Sequence, residues 1–377
     1  MHDTPVVAVA GGGTGGHLYP ALAIADALRA RRPDVRVLFV GAARGLEARV
    51  LPARREWHVL LPVRGADRGR RLSALRALPD ALVSVVRVAR LFSRERPEIV
   101  VVTGGYAGAP AGIVAGLTGV PLVLQEQNST PGVVTRLLSR WASRAYVAFP
   151  EVVDALNLAG GRVRVTGNPV RSGTSRSRAE TRAAYGIPRD ASLVLVAGGS
   201  QGSLALNGFV GDALRGVARG ALQRPRDLHL LWVTGPAHFG AVDEVLGESG
   251  APDWVHPVAY LDDFPSVLAA ADLAVSRAGA MSTAELLLHG LPAILVPLPT
   301  AAADHQTHNA RSLERAGAAL VLRQSGLSGD ELWRHLTELL ASRERLETMR
   351  NAARALARPS AAADIAADIA TFLPARA

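Results

Sequence analysis

Short aliphatic runs alternate along this chain with longer stretches whose apolar residues recur every three to four positions, and the whole pattern occurs twice. Val6–Ala10, Arg36–Val40, Trp57–Leu61, Ile99–Val102, Leu122–Leu124 and Ala145–Ala148 read as strands, with helix-length segments such as His17–Arg31 and Leu72–Phe92 between them. A second series runs through Ser192–Ala197, His229–Val233, Trp254–His256, Leu273–Ser276, Ala293–Val296 and Ala319–Leu322. Runs that are apolar throughout suit strands buried on both faces of a parallel sheet. The alternation predicts an α/β protein with two Rossmann-like, doubly wound parallel-sheet domains facing across a cleft. We set the domains at 1–170 and 171–358, with Gly173–Arg182, rich in Ser, Arg and Thr, as the linker. After Pro359, Ile365, Ile369, Phe372 and Leu373 recur at helical spacing. The segment 359–377 is therefore expected to form an amphipathic helix that packs back on the first domain.

Composition narrows the class. A chain of 377 residues, 49% apolar and 20% charged, has the make-up of a globular protein with two cores. It contains no cysteine, which excludes a disulfide scaffold and any thiolate metal site. The net charge of +9 suits an anionic partner. Every basic residue is Arg, however, so coding bias explains the charge as well, and the charge alone decides little. With 5% aromatic residues and no recognised motif, no nucleic-acid partner is expected. His2, Asp3 and Thr4 lead straight into the first strand, which reads as a cytoplasmic start and not as a signal peptide. The uncharged stretch from Ile99 to Gln125 is long enough to span a bilayer, but Gly104, Gly105, Pro110, Gly119 and Pro121 interrupt it. It reads as two buried strands joined by a crossover helix.

Candidate chemistry starts at the glycine turns. Gly11-Gly12-Gly13-Thr14-Gly15-Gly16-His17 and Gly198-Gly199-Ser200-Gln201-Gly202 each follow a strand and open a helix, and Thr103-Gly104-Gly105-Tyr106-Ala107-Gly108 is a third such turn. A glycine turn lets backbone approach a ligand, and the helix start offers free N–H groups to an anion. Each could equally be a tight turn for strand–helix packing. A dinucleotide site would want an acid closing the second strand; Val40-Gly41-Ala42-Ala43-Arg44 has none, which counts against an oxidoreductase. Three anion-suited loops fit two phosphorylated substrates better than one nucleotide. Glu285 lies one turn into a helix opened by Met281, where a carboxylate can accept both hydroxyls of a ribose or simply favour the helix dipole. Asp304-His305-Gln306-Thr307-His308-Asn309 supplies amide and imidazole groups suited to a sugar.

GGTGGHLYPALAIA, TGGYAGAP, Glu126-Gln127-Asn128, GNPVR from Gly167 to Arg171, GGSQGS, SRAGAMSTAE and HQTHNA occur in one order across essentially the whole chain. Each alone is weak, and the ordered set is specific. The chain resembles the MurG family, bacterial enzymes that add N-acetylglucosamine to undecaprenyl-pyrophosphoryl-muramyl pentapeptide. The resemblance implies a GT-B fold with UDP-GlcNAc in the carboxyl domain and the lipid acceptor (lipid I) at the amino domain. It implies that Ser200 and Gln201 meet the diphosphate and that Leu261 flanks the uracil. Ala280, Met281, Ser282, Thr283 and Ala284 would continue around base and phosphates, with Glu285 on the ribose, Gln306 on the sugar and Arg171 assisting the leaving phosphate. Thr14, Gly15, Gly16 and Asn128 would close over the sugar, and Tyr106 would lie at the acceptor diphosphate. Many members carry His where this chain has Gln125, so no role passes to that position.

An α-linked donor and a β-1,4-linked product imply inversion by one in-line displacement, with a base to take the proton of the attacking hydroxyl. His17 is one candidate, because the reference pKa of an imidazole, near 6.5, suits proton transfer at neutral pH, and Glu126 is the other. No two Asp residues stand two apart, so no metal and no cofactor are expected, and the leaving charge falls to helix N-termini, Ser200 and Arg171. Arg64, Arg68, Arg70, Arg71 and Arg76 stand beside Leu72, Leu75, Leu78, Leu82, Val85, Val86 and Ala89 at helical spacing. A basic rim beside an apolar face suits an anionic membrane surface, though such a face could also pack on the sheet. The expected place is peripheral, on the cytoplasmic side of the cell membrane, with a cell-wall synthesis complex as a candidate partner. The alternatives are a GT-B transferase acting on another lipid or natural-product acceptor, a UDP-GlcNAc epimerase, and a nucleotide-sugar-binding scaffold without turnover.

Overall fold

The structure, a computed structural model, describes residues 4–64, 71–156, 158, 161–170, 173–199 and 201–375, with side chains for all of these but 71–77. The chain divides into two compact units, one of Met1–Arg171 with Arg358–Ala377, the other of Ser172–Ala357. Each is a doubly wound parallel α/β unit.

The first sheet contains β1 (Val6–Ala10), β2 (Arg36–Ala42), β3 (His58–Leu61), β4 (Ile99–Val102), β5 (Leu122–Glu126), β6 (Arg144–Val147) and β7 (Val163–Val165). Their order is β3-β2-β1-β4-β5-β6-β7, all parallel. Helices α1 (Gly15–Arg31), α2 (Glu47–Ala53), α3 (Arg71–Glu95), α4 (Gly105–Thr118) and α5 (Val133–Ser139) connect them. Every residue of β1, β4 and β5 is buried, as central strands covered on both faces must be. Fully burying each Val or Leu there is worth about 1.5–3 kcal/mol.

The second sheet repeats the plan with β8 (Ser192–Ala197), β9 (Leu228–Val233), β10 (Val255–Val258), β11 (Leu273–Ser276), β12 (Ala293–Leu295) and β13 (Ala319–Val321), in the order β10-β9-β8-β11-β12-β13. Its helices are α6 (Arg178–Ala184), α7 (Leu204–Ala218), α8 (Phe239–Glu248), α9 (Phe264–Ala270), α10 (Ala280–Leu288), α11 (His305–Arg315), α12 (Gly329–Ala341) and α13 (Arg343–Leu356). A final helix, α14 (Ala361–Ile369), belongs to the first unit, where Ile365, Ala366 and Ile369 share a core with Leu18, Leu22 and Leu28 of α1. Asp368 of α14 is buried against Arg144 (3.2 Å), Arg164 (2.8 Å) and the Tyr146 hydroxyl, which donates to it at 2.7 Å. This polar cluster fixes where the tail seats.

The uncharged stretch from Ile99 to Gln125 is β4, α4 and β5, and among the described residues no helix is long and apolar enough to cross a membrane. Three expectations need correction. The edge strand β7 was not foreseen, because in Val163-Arg164-Val165 only Val163 is partly buried and Arg fills the exposed edge. The linker is shorter than expected, since its second half winds into α6. There Ser177 and Glu180 form a reciprocal capping box, a Ser-x-x-Glu signal present in the sequence. The apolar stripe of α3 divides. Val85 and Ala89 pack inward beside Val88 and Phe92, while Leu78, Leu82, Val83 and Val86 face solvent.

Candidate active site

In an open parallel sheet, ligands bind beyond the carboxyl ends of the strands where the strand order reverses. That point lies between β1 and β4 in the first unit and between β8 and β11 in the second. The predicted glycine turns emerge there in both.

In the first unit the turn after β1 packs directly on the turn after β4. At Gly105, with a φ of +72°, any Cβ would strike the carbonyl oxygen of Gly12. The close approach brings His17, in the first turn of α1, against Thr103. Its Nδ1 lies 3.0 Å from the Thr103 carbonyl oxygen and 3.0 Å from Gln127 Oε1, and Thr103 Oγ1 donates to the His17 carbonyl at 2.8 Å. Two acceptors face Nδ1, so that nitrogen carries the proton and Nε2 keeps its lone pair in the neutral ring. Nε2 makes no hydrogen bond among the described residues. Thr14 stands exposed at the N-cap of α1 without capping it, and Gly15 and Gly16 open the helix, their first-turn amides beyond the reach of intrahelical carbonyls. The Tyr106 ring closes on Gly13, and burial, then the nearby Glu47, raises its pKa.

Glu126 ends β5, buried. Its Oε1 accepts from the Asn128 amide at 3.1 Å and from Asn128 Nδ2 at 3.3 Å, and its Oε2 accepts from the Gly132 amide at 3.0 Å. A carboxylate so engaged shapes the 127–132 loop, which presents Asn128. Glu47 had no assigned role in the sequence, yet it is fully buried beneath the first glycine turn and accepts a short hydrogen bond from the Gly13 amide. Burial raises its pKa. Only its place behind a strand that ends in small residues hinted at this.

Arg171, the last residue of the first unit's main segment, and Ser200 of the second unit lie outside the described residues. Gln201 is exposed in the turn after β8, and Ser203 caps α7 by accepting from the Leu206 amide at 3.3 Å. Arg277, from the SRAGAMS motif, was missed as a site residue. Its guanidinium donates to Ser203 Oγ at 2.7 and 3.0 Å and to the carbonyls of Val296 (2.9 Å) and Pro297 (3.3 Å). It is only 5% exposed and has no carboxylate partner among the described residues. A buried unpaired cation beside a glycine turn is a ready complement for a phosphate.

Helix α10 starts at Ala280, with Met281, Ser282 and Ala284 partly exposed. Thr283 is not presented: it is buried, and its hydroxyl donates to the Gly279 and Ala280 carbonyls at 3.2 and 3.0 Å. Leu261 is buried too, beside the exposed Tyr260. Glu285 is half-buried with no hydrogen-bond partner among the described residues, and burial pushes its pKa up to about 7. Gln306, in the first turn of α11, accepts from the Leu298 amide at 3.0 Å through Oε1, which leaves its amino group for a ligand. Ala303 and Asp304 just before it both have positive φ, and Asn309 ties the same helix to the Ala278 carbonyl at 3.2 Å. Strain at such a turn is typical of ligand-binding segments. Among the described residues no group of three or more His, Asp or Glu could hold a metal ion.

Residues 7–147 match the N-terminal domain of glycosyltransferase family 28, and residues 193–368 its C-terminal domain. A UDP-N-acetylglucosamine–N-acetylmuramyl-(pentapeptide) pyrophosphoryl-undecaprenol N-acetylglucosamine transferase from Salinibacter ruber is 42% identical over 372 residues, which is 97% of this chain and 96% of that one. The protein of the same name from Chlorobium luteolum is 43% identical over 364 residues, 96% of this chain and 97% of that one. The crystal structure of Acinetobacter baumannii MurG superposes with a TM-score of 0.74 at 27% identity, covering 97% of this chain and 99% of that one.

Proposed function

Because the chain belongs to the MurG family within glycosyltransferase family 28, we infer that it transfers N-acetylglucosamine from UDP-GlcNAc to undecaprenyl-pyrophosphoryl-MurNAc-pentapeptide (lipid I), forming lipid II for peptidoglycan. The observation that carries this is the end-to-end identity with relatives of that one activity. Another GT-B acceptor would leave the donor unit similar and change the acceptor unit, whereas here the relatives named for this acceptor match across both units.

In our reading the residues divide the work. The C4 hydroxyl of MurNAc attacks the anomeric carbon, its proton passes to His17 Nε2, and the bond from that carbon to UDP breaks with inversion. The tether of Nδ1 to Thr103 and Gln127 favours His17 over Glu126, whose oxygens already serve loop amides. Gly15 and Gly16 offer first-turn amides, with Thr14, Asn128 and Tyr106 alongside. In the second unit Glu285 accepts the ribose hydroxyls and Gln306 the sugar, while Met281, Ser282 and Ala284 border the base. The charge that builds on the diphosphate falls to the start of α7, to Ser200 and Gln201, to Arg171 and to Arg277.

The enzyme also has to meet a lipid. Leu78, Leu82, Val83 and Val86 expose an apolar face on α3 next to Arg87 and Arg90. That face would seat peripherally on the anionic cytoplasmic leaflet. Of the arginines expected there, Arg64 pairs with Asp80 at 3.0 Å; Arg68 and Arg70, and the side chains of Arg71 and Arg76, lie outside the described residues. Incubation with UDP-GlcNAc and a short-chain lipid I analogue in EDTA tests the reading. A disaccharide product is expected; activity that returns only on adding Mg²⁺ or Mn²⁺ refutes the metal-free account, and no product under either condition refutes the acceptor.

A further inference from the structure

We infer that Gln127, Gln125 and Asn168 form a chain of positioning residues that fixes the tautomer of His17, leaving Nε2 as the nitrogen that takes the proton; this rests on the proposed role of His17 as base. The argument is one of forced polarity. A backbone carbonyl only accepts, so a side-chain amide within bonding distance must turn its NH2 toward it. Asn168 Nδ2 lies 3.0 Å from the Gln127 carbonyl, which turns Asn168 Oδ1 toward Gln125. Gln125 Nε2 donates to that oxygen at 3.2 Å, which turns Gln125 Oε1 toward Gln127. Gln127 Nε2 then faces the Thr103 carbonyl at 2.6 Å, the Gln125 carbonyl at 3.2 Å and, closest, Gln125 Oε1. What remains of Gln127 is Oε1, and it lies 3.0 Å from His17 Nδ1.

No member of this chain can flip alone. Rotating the Gln127 amide would set its oxygen against two backbone carbonyls and its NH2 against the only proton on Nδ1. Rotating Gln125 would face oxygen with oxygen at Asn168. Gln125 is 0%, Gln127 1% and Asn168 5% exposed, so water does not repair a mismatch. An imidazole left to itself populates both neutral tautomers; here two acceptors, the Thr103 carbonyl and the oxygen of the locked Gln127 amide, select one. Amides at every link also put no carboxylate on Nδ1 itself; the carboxylate that interacts electrostatically with His17, buried Glu47, bonds the Gly13 amide instead. A carboxylate at position 127 would hold the imidazolium, whereas an amide orients the ring and lets the proton go.

The test is ¹⁵N NMR of the full-length protein labelled at histidine, at a pH where the rings are neutral, with the His17 signals identified by their loss in His17→Ala. The expected spectrum has a protonated Nδ1 and an unprotonated Nε2. Gln127→Leu should move a several-fold larger share of His17 into the Nε2–H form and lower kcat about tenfold or more with the KM for UDP-GlcNAc unchanged. Gln125→Leu, which removes one of the three acceptors of the Gln127 NH2 without touching His17, should loosen the same lock to a smaller degree and serves if Gln127→Leu does not fold. A wild-type spectrum with the proton on Nε2 overturns the inference, as does a folded Gln127→Leu protein whose tautomer is unchanged. Turnover of His17→Ala at the wild-type rate would remove the base assignment while the spectra still decide the tautomer.

Discussion

Apart from the extra edge strand β7 of the first, the two units share one strand order and one glycine-turn device, yet the hydrogen-bonding groups at their switch points differ in kind. In the first, the ring of His17 rests on neutral amides and carbonyls, with Gln127, Gln125 and Asn168 buried behind it. In the second, a buried guanidinium, Arg277, lies under the turn, and a half-buried carboxylate, Glu285, has no hydrogen-bond partner among the described residues. A base that must accept and release a proton gains from neutral hydrogen-bond partners, while a site for a diphosphate and a ribose gains from fixed charge and unpaired acceptors. On the proposed assignment, the same backbone handles a proton in one half and holds the donor in the other.

The largest expected break in that comparison is His17→Ala. Removing a general base should lower kcat by about 10²–10⁴-fold, read in the lipid I analogue assay. Next comes Arg277→Met, which leaves Ser203 and the Val296 carbonyl without their donor. It should weaken UDP-GlcNAc binding by roughly 10–100-fold by calorimetry, the scale of a charge-assisted hydrogen bond, and leave the tautomer of His17 as it was.

The division of labour also shows in pH. Burial raises Glu285 to about 7, so its protonated form is favoured in the free protein, and the stability it lends is present below the ordinary carboxylate range and fades as pH rises toward 7. Ribose hydroxyls donate to the charged form, so binding UDP-GlcNAc below pH 7 must expel a proton. Affinity should rise by up to about tenfold per pH unit from 5.5 to 6.5 and level off above 7, and Glu285→Gln should flatten that slope. A slope that persists in Glu285→Gln would assign the proton elsewhere. The smallest effect belongs to the surface. Leu82→Ser with Val86→Ser should reduce flotation with anionic vesicles several-fold while transfer to a water-soluble acceptor analogue stays within twofold.

Much of this was legible beforehand, for physical reasons that differ by region. Strands such as Val6–Ala10 and Ile99–Val102 are apolar at every position because both faces are covered, so their bounds could be read directly. β7 escaped because an edge strand needs only one buried side chain and can carry Arg on the rest. The glycine turns announced themselves, since close backbone approach leaves glycine little alternative. Glu47, Arg277 and the Gln125–Gln127–Asn168 chain did not. Their meaning lies in what they meet across tens of residues, and nothing in a lone Glu or Gln reveals a carbonyl brought to it by another strand. Thr283 shows the converse, a motif residue whose hydroxyl turns back to its own helix.

The claim that one unit moves the proton and the other holds the donor is met most directly by titrating UDP-GlcNAc into the His17→Ala protein in a calorimeter. The account predicts a Kd within about twofold of the wild type, alongside the lost turnover. Binding that weakens in step with turnover would contradict it.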